Sequence, residues 1–308
     1  MPYDIIGDIH GHAERLEALL KALGYAPTDG AWRHPERTAI FVGDLIDRGP
    51  GQLHTLGIVR GMVEAGSARA VMGNHELNAI AWATADPEAE GLHLRPRHGG
   101  KGEKNRRQHE AFLAEVGEDT PEHRGWIDWF YELPLWIEEP GLRVVHACWS
   151  PAHVETIRPH LGEGARLTRA AALRASRTGD PLSEAIDTVL KGAEVSLPPG
   201  VTFTDKDGHV RGEIRTRWWD PDLATYRDAY IGPDGVEIPD LPIPNHVRTP
   251  APDRPTFIGH YWLNPREALA PLTPRVACVD YSVAKGGPLV AYRFDGESEL
   301  KAAKFAAV

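Results

Sequence analysis

The sequence predicts an α/β fold, and three observations carry that prediction. Short apolar runs of β type recur along the chain: "DIIGD" at 4–8, "TAIFVGD" at 38–44, "ARAVMGN" at 68–74, "LRVVHA" at 142–147 and "TFIGH" at 256–260. Most are followed by a helix-like pattern, which indicates parallel sheets buried on both faces. Polar residues cluster just past the runs, where open α/β sheets collect their ligands.

The first run breaks on Gly7 into Asp8, His10 and His12, and Leu16, Leu19, Leu20 and Leu23 then recur at helical spacing. His12 is expected to start that helix rather than serve the site. The third run leads through "GNHE" into a helix expected over 75–85, with Glu76 favourable in its first turn and available for an ion pair. Residues 86–125 read as a basic, glycine-bearing loop entering a helix. Its Arg95, Arg97, Lys101, Lys104, Arg106 and Arg107 form a solvated face by default and a substrate-recognition flap on the functional reading.

Residues about 151–255 form a long excursion between the fourth and fifth runs. A helix is expected from Asp180-Pro181, with Leu182, Ile186, Val189 and Leu190 on one face and Gly192 as its stop. "TFTDKDGHVRGEIRTRWW" reads as a hairpin turning at Asp207-Gly208. Residues 231–255 carry seven prolines, which suits an extended surface strap. "RVACVDYS" and "GGPLVAYRFDGE" read as a strand pair closing the fold. Trp218, Trp219 and Trp262 are expected in the core.

The 308-residue length allows two domains or one large α/β domain. Hydrophobic residues make up 42% and charged residues 25%, as in globular proteins. A net charge of -10 argues against a dedicated nucleic-acid binder, because phosphate backbones are held mainly by Lys and Arg. Cys148 and Cys278 are too few for a disulfide framework or a cysteine zinc site. The start has no signal-peptide pattern and no apolar run reaches about 18 residues, so a soluble, cytoplasmic protein without a membrane partner is expected.

Asp8 and His10, Asp44 and Asp47, Asn74 and His75, His146 and His260 close the five runs. Carboxylate, imidazole and amide oxygen together suit borderline divalent metals better than magnesium or calcium. "GDIHG" (7–11), "GDLIDRG" (43–49), "GNHE" (73–76), His146 and "GH" (259–260) resemble the signature of calcineurin-like metallophosphoesterases. The nearest resemblance is to the phosphoprotein phosphatase branch, which also includes bacterial symmetrical diadenosine tetraphosphatases. It covers about residues 4–150 and 256–295, and three multi-residue motifs in order make it specific.

The resemblance implies a two-sheet β-sandwich flanked by helices, with residues 1–150 and 256–308 as the core and 151–255 as an accessory cap within the same domain. It implies two divalent ions, manganese first, with iron, zinc, cobalt or nickel as alternatives. Asp8, His10 and Asp44 would hold one ion and Asp44, Asn74, His146 and His260 the other, with a shared hydroxide attacking phosphorus. His75 would protonate the leaving group, Asp47 would hold its ring, and Arg48 would grip phosphate. A second phosphate-gripping arginine is usual in that branch. Arg211, Arg215 and Arg217 alternate onto one face, and Arg215 is the choice.

The residues after His146 and His260 depart from the branch, "ACW" standing where it has two glycines and Tyr261 where it has a small residue. These departures argue against a standard protein serine/threonine phosphatase. The expected function is therefore a two-metal phosphoesterase acting on a phosphomonoester, nucleotide polyphosphate or phosphoprotein. Alternatives are a symmetrical bis(5'-nucleosyl)-tetraphosphatase, a protein serine/threonine phosphatase, a nuclease disfavoured by the charge, and a non-catalytic binding protein that holds metal for structure.

Overall fold

A computed structural model describes residues 2–204, 210–232, 235–245 and 249–308. Strand β1 (Tyr3–Ile6) leads into helix α1 (Ala13–Leu23), whose buried Leu16, Leu19, Leu20 and Leu23 are the face that spacing predicts. A small hairpin, β2 (Ala26–Thr28) and β3 (Ala31–Arg33), precedes β4 (Thr38–Phe41) and α2 (Gln52–Glu64). Next come β5 (Ala68–Ala70), α3 (Asn74–Ala83), α4 (Gly99–Val116) and α5 (Pro121–Phe130). Strands β6 (Trp136–Glu138) and β7 (Arg143–Val145) are followed by α6 (Pro151–Ile157), α7 (Arg169–Ala175) and α8 (Pro181–Lys191). The remaining elements before the fifth apolar run are β8 (Glu194–Ser196), β9 (Phe203–Thr204), β10 (Val210–Arg211), β11 (Glu213–Thr216), α9 (Tyr226–Ala229) and β12 (Tyr230–Ile231). The chain closes with β13 (Thr256–Ile258), β14 (Val276–Cys278), β15 (Val290–Phe294) and β16 (Phe305–Ala307).

Two sheets make the body, as expected. One has the order β16-β15-β1-β4-β5 and the other β14-β13-β7-β6. β1, β4 and β5 run parallel in the first, and β7, β13 and β14 run parallel in the second. Ile5, Ile40, Val42, Val71, Val144, Phe257, Ala277 and Tyr292 fill the space between the sheets. Each large aliphatic or aromatic side chain buried there stabilises the sandwich by about 1.5–3 kcal/mol before chain entropy is counted. A second, larger core lies under the helices, where Leu16, Leu56, Phe112, Phe130, Ile186 and Leu190 meet.

The expected closing strand pair is corrected. β14 pairs with β13 in one sheet, whereas β15 pairs with β1 and β16 in the other, so the C-terminal segment ties the two sheets together. Sequence distance is short, but each run matches the apolar face of a different layer.

The excursion divides in composition and in packing. α6, α7 and α8 bury their apolar faces in the helical core, and α8 has the expected span, with Asp180 accepting from the Leu182 N–H and Gly192 at its end. The described residues of 194–243 instead gather around their own small cluster of Val195, Leu197, Ile214, Leu223, Tyr226, Ile238 and Ile243, with Val195 and Ile214 lying on strands of the sheet β12-β11-β8. β9 and β10 pair antiparallel, and the turn expected at Asp207-Gly208 lies outside the described residues. The surface strap expected over 231–255 is corrected in part: Ile231 lies in β12 and Ile238 and Ile243 are buried in that cluster, because their apolar side chains complete the lobe's core, while among the described residues no strand occurs from 235 to 245 or from 249 to 255. Among those residues, too, no helix is long and apolar enough to cross a membrane.

Candidate binuclear metal site

Six parallel strands end at one place, and each delivers a polar residue. Asp8 and His10 follow β1, Asp44 follows β4, Asn74 and His75 follow β5, His146 follows β7, His260 follows β13, and Asp280 follows β14. The backbone there is forced into unusual shape. Among the described residues ten non-glycine residues have positive φ, and six of them are His10, Asp44, Asp47, Arg48, His260 and Trp262. Such conformations cost about 1–3 kcal/mol each and persist where the surroundings over-determine them.

Asp44 is the centre. Its Oδ2 lies 3.3 Å from His146 Nε2, 3.7 Å from His10 Nε2 and 3.9 Å from His75 Nε2. Its Oδ1 accepts the His75 backbone N–H at 2.9 Å. Two groups able to hold a cation result, His10 with Asp44 and His75, and Asp44 with His146 and His260, and Asp44 belongs to both. Asn74 Oδ1 stands 3.2 Å from His146 Nε2. Asp8 is buried beside them, its Oδ2 accepting the His260 N–H at 3.0 Å.

Backbone carbonyls orient the imidazoles. His10 Nδ1 donates to Ile46 O at 2.9 Å and His146 Nδ1 to Val42 O at 2.8 Å, which turns each Nε2 towards the centre. Asp8 Oδ1, His10 Nε2 and His260 Nε2 are buried with no hydrogen-bond partner. Orphaned acceptors of this kind, in a set of carboxylates, imidazoles and one amide, fit borderline divalent cations.

Electrostatics push neighbours in opposite directions. Burial and the nearby Asp280 carboxylate raise Asp8 well above the usual carboxylate range. Burial and His75 lower His10 to about 3. Burial opposes the charge on Asp44, yet His146 and His75 hold it well below its ordinary value. His146 rises to about 10, because Asp44 outweighs the burial that opposes it. Burial and the Arg215 charge press His260 down.

The structure brings His75 and Asp47 together, with Nδ1 to Oδ2 at 2.5 Å. Arg48 is exposed and stacks on Trp262, 4.5 Å from the ring centroid, and Lys285 lies 3.8 Å from the same centroid. Trp218 and Trp219 are core as expected, but Trp262 is corrected: it is half-buried at the rim, 6.2 Å from the His10 ring. Its place is fixed because Asp280 accepts the Trp262 N–H at 2.8 Å. Arg215, in β11, reaches electrostatic range of His260 with its Nε buried and unpartnered, and one terminal nitrogen is 3.7 Å from Glu194. Arg217 is exposed.

Glu76 lies in the first turn of α3 as expected, but it is fully buried and among the described residues makes no ion pair; it accepts the N–H groups of Gly73 (2.8 Å), Leu45 (2.9 Å) and Asp44 (3.0 Å), stitching two loops together. Gly73 is required beside it, since a Cβ there would collide with Asp44. His109 and Asp280 were missed. His109 Nδ1 lies 2.7 Å from the second Asp47 oxygen, so Asp47 sits between two imidazoles. Asp280 closes "RVACVD" as Asp44 closes "TAIFVGD", and that pattern could have found it.

The basic loop is largely helix, α4, beginning at Gly99. Arg97 and Arg106 are neutralised by Glu118 and Asp119. Arg95 is held instead by neutral acceptors, Asn78 Oδ1 and Gln108 Oε1.

Fold and site together define a two-sheet α/β body with a cluster of carboxylate and imidazole side chains at its strand ends that could hold a metal ion. The family model for calcineurin-like phosphoesterases matches residues 1–167, and the chain belongs to that family. The asymmetrical bis(5'-nucleosyl)-tetraphosphatase PrpE of Bacillus subtilis (strain 168) is 46% identical over 76 residues, 24% of this chain and 31% of that protein. A symmetrical bis(5'-nucleosyl)-tetraphosphatase of Vibrio cholerae is 32% identical over 148 residues, 48% of this chain and 44% of that protein. The matches thus span less than half the length of these relatives. A solved cold-active protein tyrosine phosphatase aligns over 97% of this chain and 78% of its own with a TM-score of 0.50 and 17% identity, which speaks to fold alone.

Proposed function

We propose that this chain is a two-metal phosphoesterase, with nucleotide polyphosphates as its first candidate substrates and phosphomonoesters or phosphoproteins after them. One observation carries the reading: two donor groups share Asp44, and the His75–Asp47 pair stands against one of them. A structural metal site has no use for that pair. Asp8, His10 and Asp44 would hold one divalent cation and Asp44, Asn74, His146 and His260 the other. When bound, such cations lower the pKa of water and polarise a phosphoryl group.

The protein's own part follows from the geometry. Asp47 fixes His75 Nδ1–H, so His75 Nε2 faces the site as the proton donor to the departing oxygen. Asp44 and Asp47 raise His75 against the opposing effect of burial, which favours the protonated ring this role needs. Arg48 and Arg215 would grip phosphate oxygens from opposite parts of the chain. The relatives' names favour dinucleoside tetraphosphate as the test substrate.

The test is an assay of protein reconstituted with manganese, nickel, cobalt or zinc on an aryl phosphomonoester, an aryl phosphodiester, a dinucleoside tetraphosphate and a phosphopeptide. Turnover of the tetraphosphate above the phosphopeptide is the expected result. No turnover with any metal would leave the non-catalytic binding protein standing.

A further inference from the structure

Arg48 stands on a clamped stretch of backbone that does not itself direct the side chain. The Asp47 N–H donates to Gln52 Oε1 at 2.7 Å and the Gly49 N–H to His10 O at 2.8 Å, so the residues on either side are held. Among the described residues the Arg48 guanidinium makes no hydrogen bond and no ion pair, and the residue is exposed. The contact it does make is with the Trp262 ring, 4.5 Å from the centroid. An exposed arginine without such a contact samples many rotamers and must give them up when it grips an anion.

Trp262 is held more firmly than the arginine it meets. Its N–H donates to Asp280 Oδ2 at 2.8 Å, and the same carboxylate accepts the Ser282 N–H through Oδ1 at 3.0 Å. The Leu263 N–H donates to the Asp280 carbonyl at 3.0 Å, so two successive residues after His260 are tied to the end of β14. Asp280 is buried, whereas the indole is half-buried and reaches the rim, 6.2 Å from the His10 ring. Lys285 approaches the same ring at 3.8 Å, so the indole serves as a seat for cations rather than as core packing. A guanidinium seated there has its place fixed by β14, and the Arg48 charge is near enough to act on the His10 and His75 rings.

We propose that Trp262 is a positioning residue: it holds the Arg48 guanidinium ready for a phosphoryl group and acts on substrate only through that arginine. This rests on the phosphoesterase reading above. With the indole in place Arg48 meets an anion without first losing rotamer freedom, and the gain is that of one partly shielded cation–π contact, about 3- to 30-fold in affinity.

The test is a double-mutant cycle on the full chain reconstituted with manganese, using Trp262→Leu, Arg48→Gln and the two together. The first readout is calorimetry with inorganic phosphate, with metal content measured by elemental analysis. Trp262→Leu weakens phosphate about 3- to 30-fold at wild-type metal content and adds nothing further in the Arg48→Gln background. The second readout, kcat/KM for an aryl monophosphate, follows the same pattern. Losses that multiply in the double variant overturn the proposal, as do wild-type affinity in Trp262→Leu and a loss of metal that accounts for the weaker binding. Trp262→Phe keeps an aromatic face and gives an intermediate affinity, and the cycle is closed with it if Trp262→Leu does not fold; the full loss in Trp262→Phe counts against the ring contact. If wild type hydrolyses no phosphate ester, the functional reading has failed and the phosphate titrations alone decide the role of Trp262. A wild type that also binds no phosphate overturns both.

Discussion

His75 enters the site with one nitrogen already engaged by Asp47, so only Nε2 can act. It also stands 3.9 Å from Asp44, close enough to be a metal donor itself. The two roles separate in one variant. His75→Asn should lower kcat by about 10²- to 10⁴-fold, the usual worth of general acid catalysis, while two equivalents of metal remain by elemental analysis. Parallel loss of metal and turnover would make His75 a ligand. His109 holds the other Asp47 oxygen from α4, and a positioning partner of this kind is commonly worth about tenfold to a hundredfold in activity. His109→Leu should therefore reduce kcat about tenfold with KM unchanged, and His109→Asn, which keeps a donor near Nδ1, should recover most of it. The residues legible in the sequence were those that close a β-type run, because a strand end fixes where the next side chain can go. Glu76 and His109 act from helices, and their partners in the loop after β4 come from 31 to 62 residues away, a distance at which spacing carries no information.

Elements with one clear face were legible in the same way. α8 has its aspartate cap, its proline and its apolar stripe, and its Val189 carbonyl accepts the Ala147 and Cys148 N–H groups just after His146. α4 was legible only in its second half, since "HGGKGEKNRR" offers poor helix formers. Its tertiary anchors override that weakness: Phe112, Leu113 and Val116 are buried, and Glu115 caps α2 by accepting from the Gln52 and Leu53 N–H groups. At the α4–α5 junction His123 Nδ1 accepts the Asp119 N–H at 3.1 Å and the ring meets Phe112 edge-on. Burial and His109 lower its pKa from 6.5 to about 4, so the folded state favours the neutral ring. The unfolded chain takes up the proton first, and this contribution to stability is full above pH 6.5 and is lost as pH falls towards 4. Urea midpoints should thus drop more steeply over that interval in wild type than in His123→Gln. Parallel pH curves for the two proteins would refute the account.

At the scale of the molecule, the unequal cores matter most. The sandwich and the helical layer share extensive apolar packing, whereas residues 194–243 rely on a small cluster of their own. Yet β11 in that lobe carries Arg215, whose charge reaches His260. A lobe with its own core is expected to loosen before the sandwich unfolds, and loosening it would withdraw the proposed phosphate-gripping Arg215 from the cluster around Asp44. Length and position pointed to an accessory segment, but not to its division, because helical periodicity in 181–191 marks an element without saying which core receives it. Ile214 is 1% exposed at the centre of the lobe. Ile214→Ala should remove about 2–4 kcal/mol locally, the cost of a buried cavity. Hydrogen exchange should then speed up at Val195, Ile214 and Tyr226 and remain slow at Ile40 and Phe257. KM for a phosphate ester should rise with little change in metal content. If amides of the lobe and of the sandwich instead accelerate together, the two open as one cooperative unit and the segment cannot act as a cap that gates access on its own.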